Sequence, residues 1–394
     1  MRDDAPADPP LFTPLRLRGI TLPNRIGVSP LCMYAAHDGF ATDFHLAHLG
    51  RFALGGAGLV IMEATAITPH GRISHHDTGI WSDAHVEGLS RIAAFLSAHG
   101  AVPGIQLAHA GRRAAVRQPW FGGVPLTPAD TSEGLPPWPI VGPSAISAGT
   151  GFAVPHKLTT VEIAASIGQW RDAAIRAVAA GFQVIDLHGA HGYLLHSFFS
   201  PLSNHRDDAY GGSLEARMRY PLEVVTAIRG AIPDDIALAY RLSAVDGIEG
   251  GLTLDDTLRF AARLGESGVD LIDTSSGGIS TDRASDTRVR RGFAFHADFS
   301  RSLRQATDAR VATVGLVIDP HQANLLVTQG DADLVLVGRQ MLDDPNWAHH
   351  ARVALGDEEY REWNVRFGSA LRPRAATIGR LRAAGETPLT RFGI

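Results

Sequence analysis

The stretch His188-x-x-His191-x-Tyr193 places three side chains with oxygen-directed chemistry within six residues. Two neighbouring imidazoles can both donate hydrogen bonds to one oxygen atom, and a nearby tyrosine hydroxyl can deliver a proton. Zinc binding is an alternative, because histidine pairs bind zinc and His196 is available, although no acidic residue stands within the motif. A purely structural role is the third interpretation in a chain with 18 histidines.

Two glycine-led stretches near the C-terminal end could hold a phosphate. Gly315 lies in one apolar run, and Gly338 with Arg339 ends the next. Glycine lets backbone N–H groups approach phosphate oxygens closely, and an arginine adds a charge-assisted hydrogen bond of about 1.5–3 kcal/mol. Either glycine alone could simply end a strand, but together with Arg339 they favour a phosphate site. The glycine cluster at 55–58 precedes its apolar run and therefore does not fit a dinucleotide-binding fingerprint.

Eight short apolar runs must position these residues. Each is nearly continuous in apolar and β-branched residues, which is typical of a strand buried on both faces of a parallel sheet. The runs are Arg25–Leu31, Gly58–Ala64, Val102–Ala108, Val184–Gly189, Ile236–Ser243, Leu271–Ser275, Val311–Val317 and Leu334–Gly338. Helical periodicity lies between them, for example over Asp83–His99, Thr160–Ala180, Ser213–Ala231 and Thr253–Glu266, with Ser213 and Thr253 as predicted N-caps.

Strand–helix alternation repeated eight times predicts an α/β fold, a (β/α)8 TIM barrel, with a doubly wound sheet as the alternative. Barrel enzymes carry their chemistry on the loops at the carboxyl ends of the strands. Polar and small residues gather at the predicted ends: Ser29 to Tyr34, Glu63 and Ala64, Gln106 and His109, His188 to Tyr193, Arg241, Ser275 to Gly278, Gly315, and Gly338 with Arg339. This convergence predicts an active site at that end.

Two segments do not follow the strand–helix alternation of the predicted barrel. Leu15–Arg25 is expected to form a small hairpin around Gly19 that closes the barrel floor. Arg112–Lys157, after the third strand, is rich in proline, glycine and tryptophan. A long irregular loop there is typical of a lid or binding loop, and its tryptophans favour an ordered lid.

The C-terminal extension 357–394 mixes charged residues with aromatic ones and is expected to contain one short helix after Pro373. With the barrel core over about 11–347, we predict one domain spanning 1–394.

Composition and charge exclude several functional classes. The net charge is −5, and Lys157 is the only lysine, but the arginines form no dense basic block, so we expect no nucleic-acid partner. The apolar run 52–62 is too short to span a bilayer, and the acidic, proline-rich N-terminus does not fit a signal peptide. Cys32 is the single cysteine, which excludes an internal disulfide and a four-cysteine iron–sulfur cluster. We expect a cytoplasmic protein with small-molecule partners.

Four motifs resemble the old yellow enzyme family of FMN-dependent ene-reductases: SPLCMY at the first strand, IQLAHAGR at the third, HGAHGYLLHSFFSPLSNHRDDAYGGSLEAR after the fourth and LVGR at the eighth. The long fourth-strand motif is highly specific. The cysteine and tyrosine of the first motif resemble the thermophilic-like subgroup. The resemblance runs in order from Leu11 to Trp347, and the family's barrel fold agrees with the periodicity.

The resemblance implies specific roles. Tyr193 matches the proton donor, and Tyr34, His188 and His191 match substrate-binding positions. The implied FMN-binding residues are Ser29, Pro30, Leu31, Cys32, Ala64, Gln106, Arg241, Gly315, Gly338 and Arg339, with no metal ligand. Arg241 would stabilise the anion formed when the flavin is reduced, and Cys32 would tune the flavin's potential.

The implied reaction carries hydride from NADPH or NADH through FMN to the C=C bond of an α,β-unsaturated carbonyl compound. The resemblance also implies a homo-oligomer, a dimer or tetramer, in which Arg391 with Phe392 could reach a neighbouring subunit's site. Two other classes stay open. A metal-dependent barrel hydrolase or lyase would use His188 and His191 as ligands, and a non-catalytic phosphosugar- or flavin-binding protein would not need Tyr193.

Overall fold

Eight parallel strands close into a barrel at the centre of the computed structural model, which describes residues 8–282, 289–356 and 363–390. The last barrel strand pairs with the first, and every neighbouring pair is parallel. The barrel strands are β1 (Ile26–Val28), β2 (Leu59–Ala66), β3 (Val102–Ala108), β4 (Val184–Gly189), β5 (Ala237–Ser243), β6 (Leu271–Ser275), β7 (Arg310–Thr313) and β8 (Leu334–Val337). The predicted (β/α)8 fold is confirmed.

Nearly every residue of these strands is buried, because helices cover the outer face and side chains fill the interior. Each predicted run overlaps one of the strands. β2 continues two residues past its run, to Ala66, and β7 begins one residue before its run, at Arg310. Two strands are also shorter than predicted. The run Arg25–Leu31 holds a strand only over Ile26–Val28, and Val311–Val317 is strand only as far as Thr313. The remaining residues of both runs form loops at the carboxyl end of the barrel.

Helices alternate with the strands as predicted. The helices are α1 (Asp43–Leu54), α2 (Val86–Ala98), α3 (Thr160–Ala179), α4 (Leu194–Phe199), α5 (Leu214–Arg229), α6 (Leu254–Glu266), α7 (Ala297–Ala306), α8 (Pro320–Thr328), α9 (Arg339–Asp343), α10 (Trp347–Ala354) and α11 (Val365–Ala383). The predicted N-caps are confirmed, since Ser213 Oγ accepts from the Ala216 N–H and Thr253 Oγ1 from the Asp256 N–H, both at 3.2 Å. In the described part of the chain, no helix combines the length and apolar character needed to cross a bilayer.

The helix expected after Pro373 is longer than predicted. Helix α11 spans Val365–Ala383 and contains Pro373 in its interior. Proline removes one helical hydrogen bond, but the alanines, arginines and leucines around it are strong helix formers. The predicted roles of Arg391 and Phe392 lie outside the described residues.

The predicted hairpin closes the amino-terminal end of the barrel. Leu15–Leu17 pairs antiparallel with Ile20–Leu22. Its leucines pack against residues at the starts of the barrel strands, and Leu17 and Leu22 are almost completely buried. Full burial of each such side chain contributes about 1.5–3 kcal/mol. The turn needs Gly19, because a Cβ there would lie 2.5 Å from the backbone of Asp235.

The predicted lid, Arg112–Lys157, is an irregular segment fixed to the barrel by side-chain hydrogen bonds. It contains short 3-10 turns and one two-residue parallel pairing, Val141–Gly142 with His156–Lys157. The buried Arg112 guanidinium donates to the Ser147 carbonyl at 2.8 Å and to the Ile279 carbonyl of the loop after β6. Arg112 therefore joins the first residue of the lid to Ser147 within the lid and to the loop after β6 at the carboxyl end of the barrel.

Candidate active site

The structure brings most of the predicted cofactor residues around one cavity of about 470 Å³ at the carboxyl ends of the strands. Seven of the ten line it: Ser29, Pro30, Leu31, Arg241, Gly315, Gly338 and Arg339. The other three predicted residues do not line this cavity. Cys32 lies in the loop after β1, next to Leu31, whereas Ala64 lies on β2 and Gln106 on β3. The loops after β1, β7 and β8 thus meet as predicted.

A second cavity of about 420 Å³ adjoins the first and contains the predicted proton donor. Both are lined by Ser275, Phe295, His296, Leu316 and Arg339. The second is also lined by His191, Tyr193 and Arg113. Of the residues predicted to act on the substrate, His191 and Tyr193 therefore face space contiguous with the first cavity, whereas Tyr34 and His188 line neither cavity.

The two glycines of the predicted phosphate site differ in their conformational demands. Gly315 has a φ of +120°, and a Cβ there would lie 2.9 Å from the Phe295 ring. At Gly338 a Cβ would meet Ser29 and Leu31 only at an ordinary contact distance of 3.7 Å. Packing and backbone conformation require glycine at 315, whereas at 338 the absence of a side chain leaves the backbone open to the cavity.

The predicted histidine pair is in direct contact. The His191 Nδ1 and His188 Nε2 atoms are 3.3 Å apart. Because the Ala190 N–H donates to His188 Nδ1, His188 carries its proton on Nε2 and donates to His191. His191 Nε2 lies 2.6 Å from the Ser275 hydroxyl. A substrate oxygen that accepts hydrogen bonds from both imidazoles must therefore displace the hydrogen bond between His188 and His191.

Both imidazoles are neutral in this environment. Burial, followed by the positive charge of Arg241, holds the pKa of His188 and of His191 well below the usual range. Neutral imidazoles act on an oxygen as hydrogen-bond donors through their N–H groups, without adding a full positive charge.

The turn that carries His191 is held in an unusual conformation. His191 and Gly192 have φ values of 58° and 76°, both in the left-handed region. The Gly192 N–H donates to His196 Nδ1 at 2.8 Å, and Arg113 donates to the His191 carbonyl. A non-glycine residue in this region persists only where its surroundings fix it. The turn thus sets the positions of His191 and Tyr193 together.

Tyr193 lies between His188 and the lid. Its ring centroid is 4.5 Å from that of His188, and the Arg113 guanidinium lies 5.8 Å from the centroid of the tyrosine ring. Burial raises the pKa of Tyr193, so the hydroxyl is protonated at neutral pH. The same cause raises the pKa of Tyr34, which packs in the same small apolar cluster and has a φ of 55°.

Cys32 is a neutral thiol in a loop fixed by β2. Burial, and then the negative charge of Glu63, raises its pKa. The Met33 N–H donates to Glu63 Oε2 at 3.0 Å, and Glu63 lies where the register between β2 and β3 shifts. The irregularity in β2 therefore turns a carboxylate toward the loop that carries Cys32.

Two buried aspartates beside the site were missed by the sequence reasoning. Gln106 Nε2 donates to Asp186 Oδ2 at 2.7 Å, and Arg241 Nε lies 3.3 Å from Asp273 Oδ2. Each aspartate is the only Asp, Glu, Lys or Arg within its predicted strand, VIDLHG or LIDTS. A lone carboxylate in a run predicted to be buried on both faces was the signal that could have found them.

Arg113 and the pair His196 and Asp246 were also missed as site-forming residues. His196 Nε2 lies 2.9 Å from Asp246 Oδ1, and both side chains are buried. Since His196 also accepts a hydrogen bond from the Gly192 N–H, the pair of His196 and Asp246 stabilises the turn that carries His191. No sequence pattern connects Asp246, which follows β5, to a motif that follows β4.

Metal binding by the histidine motif receives no support from the geometry. In residues 8–282, 289–356 and 363–390, no group of three or more His, Cys, Asp or Glu side chains is placed to hold a metal ion. His196, the third ligand considered from the sequence, instead accepts from Gly192 and faces Asp246.

Comparison with known proteins identifies close relatives. Residues 10–358 match the model of the NADH:flavin oxidoreductase / NADH oxidase family. The chain is 40% identical over 350 residues to the NADPH dehydrogenase of Bacillus subtilis (strain 168), covering 88% of this chain and 96% of the relative. It is 40% identical over 363 residues to an NADH:flavin oxidoreductase of Gibberella zeae, covering 88% and 86%. Among solved structures, morphinone reductase in complex with tetrahydroNAD superimposes with a TM-score of 0.71 at 27% identity, covering 88% of this chain and 91% of that one.

Proposed function

The chain belongs to the NADH:flavin oxidoreductase / NADH oxidase family, and on that premise we propose that it is an ene-reductase acting on α,β-unsaturated carbonyl compounds. At the level of the family it is an NAD(P)H-dependent flavin oxidoreductase of the old yellow enzyme type, with FMN as cofactor and a nicotinamide coenzyme as hydride donor. The proposal concerns the acceptor and the residues that act on it.

The residues around the 470 Å³ cavity fit FMN. Gly338 and Arg339 offer an open backbone and a guanidinium to a phosphate, as expected from the sequence. Arg241 lines the cavity, where its Nη1 lies 3.5 Å from the hydroxyl of Ser29, and its Nε faces Asp273. A cation at this position suits a ring that becomes anionic on reduction. FMN, when bound, supplies two-electron hydride chemistry that the side chains alone cannot perform.

One observation carries the proposal: His191 and Tyr193 line a cavity that adjoins the cofactor cavity, with His188 in contact with both rings. A substrate in that cavity meets donors for its carbonyl oxygen and a hydroxyl that can protonate carbon. The donors stabilise the enolate-like charge that develops when the β-carbon is reduced.

The proton for the α-carbon comes from Tyr193 in this proposal. Its O–H bond breaks as the C–H bond forms, leaving a phenolate that recovers a proton from water. The raised pKa of Tyr193 keeps the proton in place until the acceptor becomes strongly basic.

A test of the function uses purified protein under anaerobic conditions. We expect a yellow protein that releases FMN with acid, consumes NADPH or NADH in the presence of 2-cyclohexenone and forms the saturated ketone. Ketone reduction to the alcohol, or coenzyme consumption without alkene reduction, would overturn the ene-reductase assignment while leaving the flavin intact.

A further inference from the structure

Two carboxylates and one guanidinium are buried side by side at the carboxyl end of the barrel. Asp186, Arg241 and Asp273 lie on the consecutive strands β4, β5 and β6, and their exposed fractions are 0%, 8% and 1%. Arg241 is directly opposite Asp273 in the strand register. Asp186 is opposite Gln106 of β3.

With all three groups ionised, the cluster would carry one uncompensated negative charge. An unpaired charge is costly to bury, and the usual response is that one group neutralises. Asp273 is the partner of Arg241, since its Oδ2 lies 3.3 Å from the guanidinium Nε. Asp186 receives only neutral donors, the side-chain amide of Gln106 at 2.7 Å and the backbone N–H of Arg241. The geometry places the compensating proton on Asp186.

The other groups that face Asp186 do not change this charge count. The Tyr240 hydroxyl on β5 is neutral, because burial raises its pKa. His188, two residues further along β4, is neutral because burial lowers its pKa. Arg241 on β5 and Asp273 on β6 are therefore the charges that act on Asp186 from the neighbouring strands.

We propose that Asp186 is a neutral carboxylic acid at neutral pH, and that its ionisation in alkaline solution lowers the reduction potential of FMN bound beside Arg241. This inference rests on the FMN position in the proposed function, but not on the identity of the acceptor. Asp186 is a positioning residue here, because it acts through the orientation of Gln106 and the charge of the Arg241 cluster.

The sign of the effect follows from the charges. Reduction adds negative charge to the flavin, and an ionised Asp186 adds another negative charge nearby, so ionisation disfavours the reduced state. Burial, and then the charge of Asp273, raises the pKa of Asp186 to about 8. Above that pH, reduction should draw a proton back onto Asp186. Because reduction then takes up one more proton, the equilibrium constant for two-electron reduction of FMN should depend more steeply on pH. The additional change is up to about tenfold per pH unit above that pH.

The test measures the FMN midpoint potential of the holoenzyme against pH, by reductive titration with a reference dye. We expect the wild type to show the steeper slope on the alkaline side, with the spectrum of the reduced flavin unchanged across it. Asp186→Asn imitates the neutral acid, so it should match the wild type at neutral pH and lack the extra slope.

Two further variants separate this effect from a general loss of charge. Asp273→Asn leaves Asp186 as the sole carboxylate facing Arg241. The pH at which the slope of the midpoint potential becomes steeper should therefore move to a lower value. Asp333→Asn removes a buried aspartate that pairs with Arg304 and Arg310 away from the cavity, and it should leave the pH dependence unchanged.

Infrared spectroscopy gives a second measurement on the wild type alone, should Asp186→Asn fail to fold. A protonated carboxyl band at neutral pH that disappears in alkaline solution is expected. Absence of that band, or an identical pH slope in the wild type and Asp186→Asn, would overturn the inference. Enone reduction with neither feature would leave the proposed function standing and this inference refuted.

Discussion

At the scale of single residues, Tyr193 and the histidine pair should serve only the second half of the reaction. The proposal gives Tyr193 no part in the reduction of FMN by the coenzyme, because no carbon is protonated in that step. It gives His188 and His191 a substrate oxygen as their partner, and neither histidine is among the predicted FMN-binding residues.

Tyr193→Phe removes one hydroxyl and keeps the ring that packs on His188. Flavin reduction by NADPH should stay nearly unchanged, whereas alkene reduction should slow by about 10²–10⁴-fold, the usual contribution of a general acid. Stopped-flow measurement of the two half-reactions checks this. Equal slowing of both would show that Tyr193 has a different role.

His188→Ala and His191→Ala should each weaken the binding of para-substituted phenols by about 1.5–3 kcal/mol, the scale of a hydrogen bond to a charged group. A phenolate imitates the developing enolate, and its stacking on oxidised flavin gives a long-wavelength charge-transfer band that reports binding. FMN content serves as the control and should not change. Phenol affinity unaffected by both substitutions would contradict the assignment.

At the scale of elements, the loops after β1, β7 and β8 build the cavity in which we propose that FMN binds, and Gly315 in its lining has a φ of +120°. The loop after β7 reaches the cavity because strand pairing stops at Thr313, before the glycine.

Gly315→Ala should therefore reduce the FMN content of the purified protein. A φ of +120° and a Cβ 2.9 Å from Phe295 force the loop to move, at a cost of about 1–3 kcal/mol for the strained backbone. The ratio of flavin to protein absorbance measures the loss.

Gly168→Ala is the matched control, because that glycine lies within α3 and its Cβ would meet nothing within 4 Å. It should retain FMN and gain about 0.5–1 kcal/mol of stability. Full FMN content in Gly315→Ala would contradict the predicted role of this loop.

Periodicity predicted the barrel well because buried parallel strands have a simple apolar signature, and the wall from β4 to β6 follows it closely. The ends of β1 and β7 were less predictable, since residues such as Leu31 and Val317 are apolar but lie in loops. The contacts of Arg113 with the His191 and Gly278 carbonyls, and the pairing of His196 with Asp246, depend on how distant segments of the chain meet. Hydrophobic periodicity does not encode such contacts. The roles of the individual site residues stay predictions.

At the scale of the whole molecule, the barrel has one end that carries both cavities and one closed end. The hairpin seals the amino-terminal end with leucines, while the lid and the strand-end loops surround the cavities at the other. Stability and catalysis are therefore assigned to opposite ends, as in other barrels of this class. The homo-oligomer and the single-domain organisation stay predictions at this scale.

Leu17→Ala tests the separation of the two ends. Removal of this buried side chain should lower the free energy of unfolding by about 2–5 kcal/mol, without changing phenol affinity or the flavin spectrum of the folded protein. Denaturant titration measures the loss. Leu325→Ala, at a site that is 51% exposed, should change stability by no more than about 0.5 kcal/mol. A large change in phenol affinity in Leu17→Ala would show that the two ends are coupled.

The pairing of β8 with β1 also sets the order of events during synthesis on the ribosome. β1 and the cavity residue Ser29 emerge early, but β1 obtains its second neighbour only when Val335 to Val337 have been translated. Until then the nascent sheet has two unpaired edges, and unpaired edges promote association with other chains. The cavity in which we propose that FMN binds forms from both ends of the barrel sequence, so a nascent chain that stops before Leu334 has no complete site. On this proposal, flavin capture follows translation of the eighth strand, and bound flavin marks chains whose barrel has closed.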